Sequence, residues 1–295
     1  MRTIKLARYG ELGQERPAIV AADGSLRDLS TLIEDIGGEV LTAQGLEKLR
    51  RIDREGLPHV HGKPRIGAPV AQVSKMICVG LNFSDHAREA GMSVPEAPVI
   101  FMKATSAICG PNDDIVIPVG AQRTDWEVEL GVVIGDIARS VPIERALEHV
   151  AGYLIVNDVS ERAFQFEHGG QWVKGKSCDT FGPVGPWLLT RDEVSEVQQL
   201  DMWLEVNGKR YQRGNTNTMV FGVARLVSHI SHYMTLMPGD IISTGTPAGV
   251  GLGQNPPVYL RPGDVVDLFI EGLGQQRQRV VPAIGASTRF TRGIA

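Results

Sequence analysis

Glycine and proline govern what this 295-residue chain can fold into: 34 glycines and 17 prolines fall largely between short apolar runs. Glycine reaches backbone conformations closed to other residues and proline presets a turn, so the chain must reverse often and each straight segment is brief. Such a pattern predicts a turn-rich α+β fold that is mainly β, not a helical bundle. The length supports a large core and predicts a small domain over residues 1–69 followed by a large one over 70–295. A formal charge of −4, a pI near 6.0 and no basic run interleaved with aromatics argue against nucleic acid or an anionic membrane as partner. No signal-like apolar run opens the chain and no stretch is long enough to span a bilayer, so a cytoplasmic protein is expected. Cys78, Cys109 and Cys178 are widely spaced, which suits reduced thiols.

The segment Trp126-Glu127-Val128-Glu129-Leu130-Gly131-Val132-Val133-Ile134 organises the rest. Side chains alternate along a strand, so Glu127 and Glu129 share one face, ~7 Å apart, while Trp126, Val128 and Leu130 point into a core. Taken alone this reads first as a solvated sheet face with two glutamates. Other acids and cations of the chain change that reading.

Residues 17–20 and 26–29, joined by Asp23-Gly24, predict a hairpin, and Leu46, Leu49 and Ile52 predict a surface helix over 43–53. Residues 58–69 form a linker or a strand-edge crossing, in which His59 and His61 are expected to be solvated. A buried strand over 75–80 leads into a short helix capped by Ser84 or Asp85, where the spacing of three puts His86 and Glu89 on one face. A carboxylate on an imidazole sets its tautomer and raises its basicity, although the same spacing also describes a surface ion pair. Residues 98–103 predict a strand ending in Lys103, residues 142–150 a helix, and residues 152–160 a strand that places Asp158 where sites form. Arg162 and Gln165 follow at a spacing of three, before a Gly169-Gly170 hinge for a lid. Residues 172–186 predict an irregular loop around Lys176, which either meets carboxylates or closes the loop on its own backbone. Asn207-Gly208 marks a type I′ hairpin, residues 220–236 a helix, and 241–251 a strand running into a glycine loop without the lysine of a phosphate loop. The tail from Gly285 is expected to be loosely held.

Five ordered motifs together resemble the fumarylacetoacetate hydrolase family over roughly residues 75–283: Gly80-x-Asn82-Phe83-x-x-His86-x-x-Glu89, the Glu127/Glu129 strand, Asp158, the segment from Gly175 to Pro183, and the segment from Ser243 to Gly251. The resemblance implies a mixed β-roll catalytic domain behind a small N-terminal α/β domain, a homodimer, and a Mg²⁺ or Mn²⁺ site made by Glu127, Glu129 and Asp158. It further implies that His86 and Glu89 activate water, that Lys176 lies by the metal, and that Lys103, Arg162, Gln165 and Thr246 line the substrate pocket. Phe83 departs from the tyrosine of many relatives and removes a hydroxyl.

The residue types agree with that chemistry. Three carboxylates without clustered His or Cys select a hard cation and leave coordination positions for water and substrate. A 2-oxo acid fills two of them, and charge arising at C2 when the neighbouring C–C bond breaks is then stabilised where it develops. The expected activity is hydrolysis of a 2,4-dioxo acid, an acylpyruvate or a diketo-deoxy sugar acid, to pyruvate and a second acid. The alternatives are ureidoglycolate lyase, a decarboxylase or tautomerase on the same fold, and a non-catalytic metal-dependent binding protein.

Overall fold

The computed structural model describes residues 4–89, 91 and 93–283; the expected loose tail lies outside them. An 11-stranded sheet is the backbone of the molecule. Its main path runs in space through Leu26–Asp28, Arg16–Val20, Lys5–Tyr9, Gly182–Thr190, Val150–Asn157, Val128–Ile134, Ile241–Ser243, Met76–Gly80 and Val99–Lys103. The N-terminal hairpin thus continues the same sheet, with Lys5 opposite Leu189 and Leu6 opposite Leu188. A second, five-stranded sheet contains the Asp201–Val206 and Lys209–Asn215 hairpin together with Val265–Ile270 and Gly274–Val281. The fold is α+β and mainly β, as the turn-rich sequence predicts.

Alternation along Val128–Ile134 builds both cores. Val128, Leu130, Val132 and Ile134 pack with Leu204, Val266 and Leu268 of the second sheet, whereas Val133 joins Leu6, Leu154 and Leu188 in a separate cluster. Burying such aliphatic side chains stabilises the fold by roughly 1.5–3 kcal/mol each. The edge of this strand nearest Glu127 is therefore held from two sides before any site chemistry is considered.

Several local expectations hold. Asn207 and Gly208 both have positive φ (53° and 76°), the type I′ geometry. Helices occupy Ala43–Arg50 and Val223–Tyr233. Two others change. Residues Ile143–His149 form a 3-10 helix, which ends where Val150 pairs with Ile134. The expected irregular loop over 172–186 is a one-turn helix, Val173–Lys176, followed by the nine-residue strand Gly182–Thr190. Its prolines masked that strand; a register shift in the facing strand between Tyr153 and Ile155 accommodates Gly185 and Pro186. No helix among the described residues is long and apolar enough to cross a membrane.

Candidate metal centre and active site

Strand pairing brings the three acids together. Val128 lies opposite Asn157, so Asp158, the next residue, arrives beside Glu127, and its amide donates to the Glu127 carbonyl over 2.9 Å. One oxygen from each of Glu127, Glu129 and Asp158 lies within 4.8 Å of the others, and all three residues are buried. Among the described residues this is the only such cluster of potential metal ligands. His59 and His61, exposed and stacked at 5.6 Å, have no part in one.

Buried cations surround the acids. Lys176, at the end of its one-turn helix, places Nζ 2.7 Å from Glu127 Oε2 and 2.8 Å from Asp158 Oδ2. Lys103 donates to Asp158 Oδ1 at 2.5 Å and to the Val159 carbonyl at 3.0 Å. Arg162 donates to Asp125 Oδ2, Gln165 Oε1 and Glu127 Oε1 at 2.9, 3.1 and 2.7 Å. Glu129 has a different setting: its Oε2 accepts from Ser243 Oγ at 2.5 Å and from the Gly245 amide at 2.9 Å, and among the described residues no ammonium or guanidinium forms an ion pair with it.

The protonation equilibria follow from that asymmetry. Burial alone would push the Glu127 carboxyl up, but Lys176 and Arg162 outweigh it and hold the group well below the usual carboxylate range. Burial pushes Glu129 up, and the neighbouring Asp158 and Glu127 carboxylates push it further, well above that range. Burial disfavours the Lys176 ammonium, yet Asp158 and Glu127 raise it above an ordinary lysine. Glu129 is thus the acid whose negative charge lacks a partner. A divalent cation seated among the three carboxylates supplies one, and an all-oxygen donor set suits Mg²⁺ or Mn²⁺. The residues present fit such an ion.

Glu127 and Glu129 open onto a cavity of about 550 Å³. Its wall also carries His86 and Glu89, whose Nδ1 and Oε2 lie 3.1 Å apart across the short helix Ser84–Glu89. The Gly249 amide donates to both Glu89 oxygens, at 2.9 and 3.1 Å, while the Gly249 carbonyl accepts from Trp126 Nε1 at 3.1 Å. Only glycine suits that loop position: φ is +106° and an added Cβ would lie 2.0 Å from the Tyr211 carbonyl oxygen.

Eight of the ten expected site residues line this cavity: His86, Glu89, Glu127, Glu129, Arg162, Gln165, Lys176 and Thr246. Asp158 and Lys103 lie behind the wall. Lys103 therefore departs from the expectation that it faces substrate, since its fully buried ammonium is occupied by Asp158 and Val159. The Thr246 hydroxyl is likewise committed, donating to the Val128 carbonyl and accepting from Gln212. Phe83, noted above as a departure from the family pattern, is fully buried in the core and is absent from the cavity wall.

Sequence reasoning missed Asp125, which accepts from the amides of Trp126, Gly251 and Leu252 as well as from Arg162. It also missed Gln212, brought in from the second sheet. Phe101, Phe166 and Trp172 also line the cavity, and only the aromatic content around residue 166 hinted at them.

Comparison with known proteins gives the family. The sequence model described as Fumarylacetoacetate (FAA) hydrolase C-terminal matches residues 75–281. A Burkholderia multivorans protein that carries only a general hydrolase name is 61% identical over 276 residues, 93% of this chain and 98% of that protein. A solved 5-carboxymethyl-2-hydroxymuconate delta-isomerase from Mycobacterium smegmatis is 34% identical with a TM-score of 0.74, covering 95% of this chain and 99% of that one. Maleylpyruvate hydrolase from Sphingobium sp. SYK-6, solved with manganese(II) and pyruvate, is 29% identical with a TM-score of 0.78, covering 95% of this chain and 100% of that one. Fold, motif order and extent of match together make this chain a member of the fumarylacetoacetate hydrolase family.

Proposed function

We propose that this chain is a divalent-metal-dependent hydrolase that cleaves the C–C bond of a 2,4-dioxo acid to give pyruvate and a second acid. The observation that carries the reading is one cavity lined by Glu127, Glu129 and the His86–Glu89 pair, with Asp158 completing the acid cluster behind its wall. A bound Mg²⁺ or Mn²⁺ would supply Lewis-acid stabilisation of the charge that develops on the 2-oxo oxygen.

The chain's own groups account for the remaining requirements. Glu89, anchored by the Gly249 amide, orients His86 through Nδ1 and leaves Nε2 to take a proton from water. That water adds to the C4 carbonyl, the C3–C4 bond breaks, and a proton returned to C3 completes pyruvate. Lys176, kept charged by Glu127 and Asp158, provides a positive group beside the developing enolate. Arg162 and Gln165, joined by their own hydrogen bond, present a fixed polar wall to the substrate.

The pyruvate bound in the maleylpyruvate hydrolase complex supports a pyruvate-releasing reaction. The His86–Glu89 pair favours hydrolysis over decarboxylation or tautomerisation, which need no activated water. A homodimer and a cytoplasmic location belong to the same reading; light scattering tests the first. The reaction is tested by assaying pyruvate release from acylpyruvates and diketo sugar acids with metal-stripped and Mg²⁺- or Mn²⁺-loaded protein. The reading expects metal-dependent release that His86→Ala lowers by about 10²–10⁴-fold. Equal turnover by that variant would remove the assigned role.

A further inference from the structure

A row of aromatic rings leads outward from the acids. Lys176 Nζ sits 5.1 Å from the Phe101 ring centroid, the Phe101 ring lies 5.3 Å from Trp172, and Trp172 lies 6.3 Å from Phe166. Phe166 is 48% exposed, so the row runs from the buried centre to the mouth of the cavity. Trp172 is wedged into place, because a Cβ on Gly80 would come within 2.7 Å of its ring.

Charge limits what can lie along that wall. Arg162 is neutralised by Asp125, a buried acid outside the metal cluster, whichever state the cluster is in. With a divalent cation seated, its two charges and the ammonium groups of Lys103 and Lys176 face the three ligand carboxylates. One positive charge is left, matched by the single carboxylate of a 2-oxo acid. A second carboxylate would find no unpaired cation among the described lining residues, and Glu89 would repel it.

We propose that the acyl group of the substrate is uncharged, lies with a C–H-rich face along Phe101, Trp172 and Phe166, and is selected by Trp172. This rests on the 2,4-dioxo acid reading for the reacting end. The wall accepts a hydrocarbon chain or the C–H face of a deoxy sugar by the same apolar contact.

Binding to the Mn²⁺-loaded full chain, followed by calorimetry, tests the proposal independently of turnover. The probes are pyruvate, 2-oxohexanoate, 2-keto-3-deoxygluconate and 2-oxoadipate. At least one uncharged extension is expected to bind roughly tenfold more tightly than pyruvate, and 2-oxoadipate no more tightly than pyruvate. Whichever uncharged probe binds better identifies the group the wall accepts. Phe166→Ala, which removes a half-exposed ring, and Trp172→Phe should each reduce the gain from extension at least threefold. Tightest binding by 2-oxoadipate, or a gain untouched by both variants, would overturn the proposal. If the binding series holds but no dioxo acid is hydrolysed, the reaction assigned above fails while the selectivity of the wall stands.

Discussion

Gln212 donates from Nε2 to the Thr246 hydroxyl over 2.7 Å, and that hydroxyl donates to the Val128 carbonyl over 2.9 Å. Gln212 Oε1 then accepts from the Val128 amide at 3.0 Å, closing a ring of hydrogen bonds around the residue between Glu127 and Glu129. The facing strand, Ile241–Ser243, has ended by this point, so two side chains replace the missing sheet partner. Gln212→Leu leaves the buried Val128 amide without its acceptor and is predicted to cost about 1–3 kcal/mol of stability. It should also weaken Mn²⁺ binding about 10–100-fold, the usual effect of losing an outer support of metal ligands. Thermal unfolding and Mn²⁺ titration by electron paramagnetic resonance measure the two effects separately; unchanged affinity would deny Gln212 a positioning role.

Metal binding should depend on pH through Glu129. With its carboxyl raised well above the usual range in the folded protein, the native state holds a proton that the unfolded chain has released. Stability of the metal-free protein therefore falls as pH rises from the unfolded value toward the raised one. Metal affinity moves the other way, because the ion displaces that proton. Calorimetry in buffers of different ionisation enthalpy should show proton release on Mg²⁺ binding, and Glu129→Gln should abolish it. Binding without proton release in the unsubstituted protein would contradict the assigned charge pattern.

Lys176→Met is predicted to damage the metal-free protein most. It leaves Glu127 and Asp158 short of a buried partner, a loss of about 3–5 kcal/mol for a broken buried pair. Divalent cation should restore a large part of that loss, since it neutralises the same carboxylates. Unfolding temperatures with and without Mn²⁺ test this; a deficit of equal size in both conditions would show that the lysine holds something other than ligand charge.

Much of the site was legible because strand periodicity is local. The alternation around Glu127 and Glu129 predicts their shared face, and a strand end predicts a usable Asp158. The spacing of His86 and Glu89 likewise gives a pair that the structure joins at 3.1 Å. Lys103 could not be read this way, because its neighbour is decided by sheet order: the edge strand that bears it comes to Asp158 across the fold. Gln212 is harder still, since it sits in an ordinary hairpin of the second sheet and acquires meaning only through sheet packing. The strand Gly182–Thr190 was hidden by its own glycines and prolines, which mark turns everywhere else in the chain.

If a metal-supported His86–Glu89 pair adds water across a C–C bond, the oxygen of that water ends in a product. Hydrolysis of an acylpyruvate in ¹⁸O-labelled water by the Mn²⁺-loaded protein, with mass analysis of both products, tests it most directly. The account predicts pyruvate together with a second acid carrying solvent oxygen in its new carboxylate, both lost on metal removal and sharply reduced by His86→Ala. Release of carbon dioxide, or conversion of the substrate with no solvent oxygen in a cleaved acid, would contradict it.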